Sequence, residues 1–252
     1  RRPPRSTRKE SSAASDVYKR QDIVTCVSAS LKRDTLEKFD INNEIEVVPN
    51  FIDISKYILQ QKRCIVENTE SNKVPIITHV SNFRPVKNIK NVVLVFNNIQ
   101  KEIPSKLLMI GEGPEKEMAE KLCTELSIEN KVEFLGNSNQ VEKNLCHSDL
   151  FLLPSNTESF GLAALEAMAS KVAVISSDAG GLPEINIHGE TGYLTKPDDI
   201  ELMSKYAISI LKDSSLLEKF KNKAFKMAKA FDINNIVPIY EKIYKRALNK
   251  LK

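Results

Sequence analysis

The amino-acid sequence predicts an α/β fold, a doubly wound parallel sheet, on three observations. From residue 74 onward, short β-rich runs alternate with amphipathic stretches, and the apolar period switches each time from two to about 3.6. The runs VPIITHVS, SKLLMIG, KVEFLG, DLFLLPS and VAVISSD are apolar almost throughout, as strands are when helices cover both faces of a sheet. All eight glycines fall between Gly111 and Gly192, most of them where a strand gives way to a loop or helix. In an open parallel sheet those turns share the carboxyl edge, where ligands bind.

The elements follow in order. Residues 1–21 are expected to be a non-native or disordered leader. In residues 22–50, DIVTCVS reads as a strand, SASLKRDTLEKF as a helix capped by Ser28 or Ser30, and IEVVPNFID as a strand stopped by Pro49. A lone βαβ piece cannot bury its own core, so it is expected to be the remnant of a preceding domain, with 51–73 as a linker. Residues 74–231 form the sheet domain. After residue 198 the pattern is helical: DDIELMSKYAISILKD, then SSLLEKFKNKAFKMAKAF with Ser214 as its N-cap, then INNIVPIYEKIYKRALNKL. The last of these, in 232–252, is expected to pack back towards the N-terminal piece.

Composition excludes several functions. The net charge of +4 is concentrated in the leader, whose seven Lys/Arg against two Asp/Glu leave the other 231 residues at −1. No basic face interleaved with aromatics remains, so a nucleic-acid partner is not expected. No run approaches the roughly 20 apolar residues of a transmembrane segment, and the leader has no apolar core of a secretory signal. Cys26, Cys64, Cys123 and Cys146 lie far apart with no CxxC pair, which suits reduced thiols in a cytoplasmic protein. His79, His147 and His188 show no metal-ligand spacing with the cysteines or with one another, so no protein-bound metal is expected.

ESFGLAALEA, residues 158–167, sets Glu158 and Glu166 eight positions apart around a helix opened by Gly161. The N–H groups of Phe160, Gly161 and Leu162 at its positive end would seat a diphosphate. Eight residues rise about 12 Å, which suits carboxylates meeting the hydroxyls at two ends of one elongated ligand. The plainer reading makes Glu158 a helix-start carboxylate and Glu166 a solvated one. Upstream, SNFRPVKN supplies Arg84 and Lys87 as phosphate-neutralising cations.

On these residues the chain from Asp22 onward resembles the donor-binding half of the retaining glycosyltransferases of family four. Glu158 to Glu166 matches their E-x7-E signature, and GEGP at 111, FLG at 134, LLPSNTESFGLAALEAMAS at 152 and AGGLPEI at 179 match their order and spacing. The resemblance implies the GT-B fold, in which two Rossmann-like domains face a cleft, with VVPNFID similar to the crossover between them. Within the family, THVSNFRPVKN, DLFLLPSNTESFGLAALEAMA, DIVTCVSASL and IEVVPNFID are most similar to members that move GlcNAc from UDP-GlcNAc to L-malate. Capsule and lipopolysaccharide transferases share most of these motifs.

The resemblance further implies roles. Glu158 would meet donor-sugar hydroxyls, Glu166 the ribose, and Lys87 the leaving diphosphate, with Arg84 or Asn82 beside it. Backbone N–H groups near Phe160 to Leu162 would hold the same phosphates, backbone around Leu135 and Gly136 would meet the uracil, and Gly111, Gly113 and Ser159 would belong to the donor site. No metal or other cofactor is implied, since cations and the helix dipole neutralise the diphosphate. The first strand here leads into SNFRPVKN and not into GxGxxG, which argues against an NAD-dependent oxidoreductase. The family's acceptor-binding residues are not assigned on this stretch, which is expected to bind a UDP-sugar weakly or not at all and not to turn over. A noncatalytic UDP-sugar sensor is the rival reading, and the oligomeric state is left open.

Overall fold

The computed structural model describes residues 21–41, 44–67 and 74–250. Most of the expected leader, the 68–73 part of the expected linker and the last two residues lie outside them. A parallel pair comes first: β1 (Val24–Cys26), α1 (Ala29–Lys38) and β2 (Ile45–Val47), followed by α2 (Ile54–Glu67). The sheet domain runs β3 (Ile76–Val80), α3 (Ile89–Glu102), β4 (Lys106–Ile110), α4 (Lys116–Glu125), β5 (Val132–Gly136), α5 (Val141–Leu145), β6 (Leu150–Leu153), α6 (Leu162–Ala169), β7 (Ala173–Ser177), α7 (Leu182–Ile185) and β8 (Gly192–Thr195). Three helices close the chain: α8 (Ile200–Lys212), α9 (Ser214–Ala230) and α10 (Ile233–Lys250).

The six strands lie in the order β5-β4-β3-β6-β7-β8, every neighbouring pair parallel. From β3 the chain winds outward one way, and from β6 the other. The connections therefore diverge between β3 and β6 and leave a crevice at the carboxyl ends of those strands. Alternation along β6 divides the core in two. Leu150 and Leu152 join Ile77, Leu107, Met109 and Ile175 beneath α3, α4 and α8. Phe151 and Leu153 join Val174 beneath α6, α7 and α9.

Residues 51–73 are not a bare linker, because Ile54–Glu67 is helical. Tyr57, Gln60 and Cys64 recur at helical spacing and form its buried face, with Tyr57 in the core beside Leu145 and Ala167. One member of that face is a glutamine, so mean polarity conceals the stripe. Ser214 is not the cap of α9. Asp213 is, its carboxylate accepting from Leu216 N at 3.0 Å, where a negative charge also opposes the helix dipole. Of the two serines proposed for α1, Ser28 caps it.

The 22–50 segment is fastened to the sheet domain by polar contacts. Ser28 Oγ donates to Ser159 O at 2.6 Å, and Glu184 accepts from Ala29 N and Ser30 N at 3.0 and 2.8 Å. Helix α10 packs on the same segment. Ile236 and Ile243 bury Val48, and Arg246 pairs with Glu46.

His79 sits fully buried in β3, directly before the site loop. Its Nδ1–H donates to Leu152 O at 2.8 Å, and Nε2 accepts from Ser81 Oγ at 2.7 Å, so the ring is neutral. Burial, assisted by the charge of Lys87, holds its pKa down to about 4. The folded state thus refuses a proton that the unfolded chain accepts near pH 6.5. Stability from this source is complete above pH 6.5 and is lost as pH falls towards 4, by about 3 kcal/mol in all. Urea unfolding across that window should show this slope in the wild type and a much flatter one in His79→Gln.

Candidate active site

A cleft of about 500 Å³ opens at the β3/β6 divergence. Ser81 and Asn82 border it beyond β3, Gly111 beyond β4, and Asn137 and Ser138 beyond β5. Leu162, Ala163 and Glu166 of α6 form the facing side, with Lys87 and Glu158 between. The first-turn N–H groups of α6 have no intrahelical acceptor, so its positive end adjoins this space.

Lys87 ends a 3-10 turn, Pro85–Lys87, in which proline sets the entering backbone angle. Asn156 N donates to Val86 O at 2.8 Å and ties that turn to the loop carrying Glu158. Lys87 Nζ and Glu158 Oε1 form an ion pair whose side chains are only 19% and 12% exposed. Ser155 Oγ donates to the same carboxylate oxygen at 3.2 Å. The Glu158 backbone is pinned from behind: Gly181 N donates to its carbonyl at 2.8 Å. Gly180, at φ +59°, approaches so closely that a Cβ there would fall 1.8 Å from that oxygen. Gly161 caps α6 at φ +96° with Leu182 against it.

Glu166 lies on the same cleft, further along α6. Burial raises its pKa, and the neighbouring Glu142 adds to the rise. The phenol of Tyr57, from α2, stands close enough to oppose that shift. Tyr57 itself is pushed up, first by burial and then by the charge of Glu166.

Of the residues singled out from sequence, Asn82, Lys87, Gly111, Glu158, Leu162 and Glu166 are brought to this one cleft. Between Asn82 and Arg84, it is Asn82 that borders it; Arg84 is an exposed residue at the start of the 3-10 turn. Gly113 packs against the Phe83 backbone instead. The Phe160 side chain is core, edge-on to Phe231 at 5.6 Å, and Ser159 turns its carbonyl to Ser28. Leu135 and Gly136 stand one step behind Asn137 and Ser138, with Gly136 O accepting from Gly111 N at 2.8 Å. Asn137 and Ser138 were missed although they directly follow FLG. Tyr57 carried no sequence signal, since it lies in what reads as a linker.

The cysteines depart from expectation. Cys64 and Cys146 form a disulfide, with Cα atoms 6.3 Å apart, so only Cys26 and Cys123 are free among the described residues. The partners are 82 positions apart, on α2 and just beyond α5, where no spacing rule reaches. His147 Nε2 lies 3.6 Å from Cys64 Sγ. These three groups bring their ligating atoms within 4.8 Å of one another, although with the sulfurs bonded neither offers a thiolate to a metal.

The parallel sheet, its switch-point cleft and the paired carboxylates place the molecule among GT-B glycosyltransferases. The chain belongs to the family of glycosyl transferases group 1, which residues 61–227 match. It is 41% identical over 227 residues to the N-acetyl-alpha-D-glucosaminyl L-malate synthase of Bacillus anthracis, covering 88% of this chain and 59% of that protein. It is 32% identical over 147 residues to the sulfoquinovosyl transferase SQD2 of Arabidopsis thaliana, covering 56% of this chain and 27% of that protein. The chain thus spans less than two thirds of either relative.

Solved structures share the fold at lower identity. A sucrose-phosphate synthase from Thermosynechococcus elongatus superposes with a TM-score of 0.84 at 22% identity, over 96% of this chain and 62% of that one. Anabaena HepE in complex with UDP-glucose gives 0.80 at 21%, over 94% and 68%. Among the described residues, no helix is long and apolar enough to cross a membrane.

Two substitutions probe the site without ligand. Glu166→Gln should stabilise the protein by about 0.5–1 kcal/mol at pH 8, because an ionised carboxylate is relieved from a partly desolvated position. The gain should vanish below the ordinary carboxylate range, where Glu166 is itself neutral, and urea unfolding at both pH values measures it. Gly180→Ala should cost about 1–3 kcal/mol, since neither its φ nor the Glu158 carbonyl leaves room for a methyl group.

Proposed function

We propose that this chain is the donor-binding part of a retaining glycosyltransferase that takes a UDP-sugar, UDP-GlcNAc, and passes the sugar to L-malate. The observation that carries the reading is the gathering of Lys87, Glu158, Glu166 and the start of α6 around one cleft at the switch point of the sheet. A diphosphate laid against the amide end of α6 would place Glu166 at the ribose and Glu158 at the hexose. The choice of GlcNAc and malate rests on the 41% identity to the Bacillus anthracis synthase.

In this reading Lys87 exchanges its partner. Without donor its charge is balanced by Glu158. With donor bound, the ammonium group turns to the β-phosphate, where negative charge grows as the glycosidic bond breaks. Glu158 is then released to accept from sugar hydroxyls, a charge-assisted contact. The departing phosphate oxygen takes the proton of the attacking acceptor hydroxyl on the same face of the sugar, which gives retention without a side-chain nucleophile. Neutralisation by lysine and by helix amides supplies what a divalent cation would otherwise provide.

Titration calorimetry tests the assignment. Glu166→Ala should weaken UDP and UDP-GlcNAc alike, by roughly 10- to 100-fold. Glu158→Ala should leave UDP within about threefold and abolish only the additional affinity due to the sugar. Unchanged UDP affinity in Glu166→Ala removes the ribose role, and equal losses in Glu158→Ala remove the hexose role. For the acceptor, UDP release by the full-length gene product should be faster with L-malate than with other hydroxy acids or with glycolipid acceptors.

A further inference from the structure

Helix α2 is fastened at both ends and carries a side chain to the cleft between them. At its start, Ile54 N donates to Asp232 Oδ2 at 3.1 Å, and Ile52 exchanges backbone bonds with Phe231 and Ile233. Towards its far end, Cys64 is bonded to Cys146 beyond α5. Between these ties Tyr57 reaches Glu166, while α5 borders the same cleft through Val141. The cross-link therefore joins α5, which borders the cleft, to α2, whose Tyr57 stands close to Glu166.

The two sulfurs differ in access. Cys64 is 2% exposed, whereas Cys146 is only half-buried and lines a separate cavity of about 350 Å³ together with His147, Lys171 and Lys221. His147 stands 3.6 Å from Cys64 Sγ, where an imidazole stabilises a departing thiolate.

We propose that Cys64–Cys146 is a reversible cross-link, opened by a small-molecule thiol entering that cavity, and that its closure keeps Tyr57 on Glu166 and the nucleotide end of the cleft formed. The external thiolate attacks Cys146 Sγ, the Cys64–Cys146 bond breaks, and Cys64 leaves as a thiolate beside His147 and takes up a proton. A second thiol attacks the outer sulfur of the mixed disulfide and releases Cys146 as a thiol. In sum, two external thiols are oxidised to their disulfide, and the protein gains two electrons and two protons. The consequence for donor binding rests on the function proposed above; the cross-link itself does not.

The test compares the wild-type chain treated with 2-mercaptoethanol or with the disulfide of that reagent. Thiol titration after denaturation should find two thiols per chain in the oxidised form, Cys26 and Cys123, and four in the reduced form. Reduction should weaken UDP about fivefold or more, speed hydrogen exchange in α2 and α5, and lower Tm by about 5–10 °C. Cys146→Ser should behave as the reduced form and ignore the reagent. Four thiols in the oxidised sample overturn the cross-link. Two thiols with equal UDP affinity and equal exchange in both forms overturn its coupling to the cleft. If neither form binds UDP, the donor reading fails; faster exchange in reduced α2 and α5 then still upholds the cross-link's hold on the site, and unchanged exchange ends it.

Discussion

The site exists because strand order reverses between β3 and β6. Two parallel half-sheets wound in opposite directions must send their helices apart at that boundary, and the space left between them cannot be filled by either set. The loops that border the cleft arrive there as continuations of strands. Asn82 follows β3, Gly111 follows β4, and the Glu158 loop follows β6. The core holds those strand ends still: every residue of β6 and β7 is buried, so the loops beyond them start from fixed points.

Holding charge in such a place requires compensation. Lys87 and Glu158 are both largely withdrawn from water, and each would be costly without the other. Their pairing, with Ser155 as a further donor, sets the two charges against each other. The arrangement also has a chemical use, since an anionic ligand can replace the carboxylate on the lysine without stranding either charge. Among the described residues no cation pairs with Glu166, and burial raises its pKa. The Tyr57 phenol opposes that rise, which links α2 to the site as well as to the core.

The segments outside the sheet are consequently more than connectors. Ser28 locks α1 to Ser159, next to Glu158, Glu184 locks it to α7, and Asp232 locks the start of α2 to the start of α10. Each of these contacts joins residues more than 130 positions apart. The first two fasten the 22–50 segment to the sheet domain beside Ser159 and α7.

The sequence by itself determined the α/β class, the strands, the carboxyl-edge glycines and the Glu158–Glu166 pairing across a helix start, because these follow from periodicity and from spacing within one element. Lys87 was legible for the same reason, as a cation one turn beyond a strand. Only the tertiary structure decided that Tyr57 supports Glu166, that Asn137 and Ser138 rather than Leu135 and Gly136 edge the cleft, and that Cys64 meets Cys146. Those are contacts between elements, fixed by how two helices settle on a sheet. A one-residue shift along a strand or a buried glutamine within an apolar stripe is enough to hide them from a linear reading.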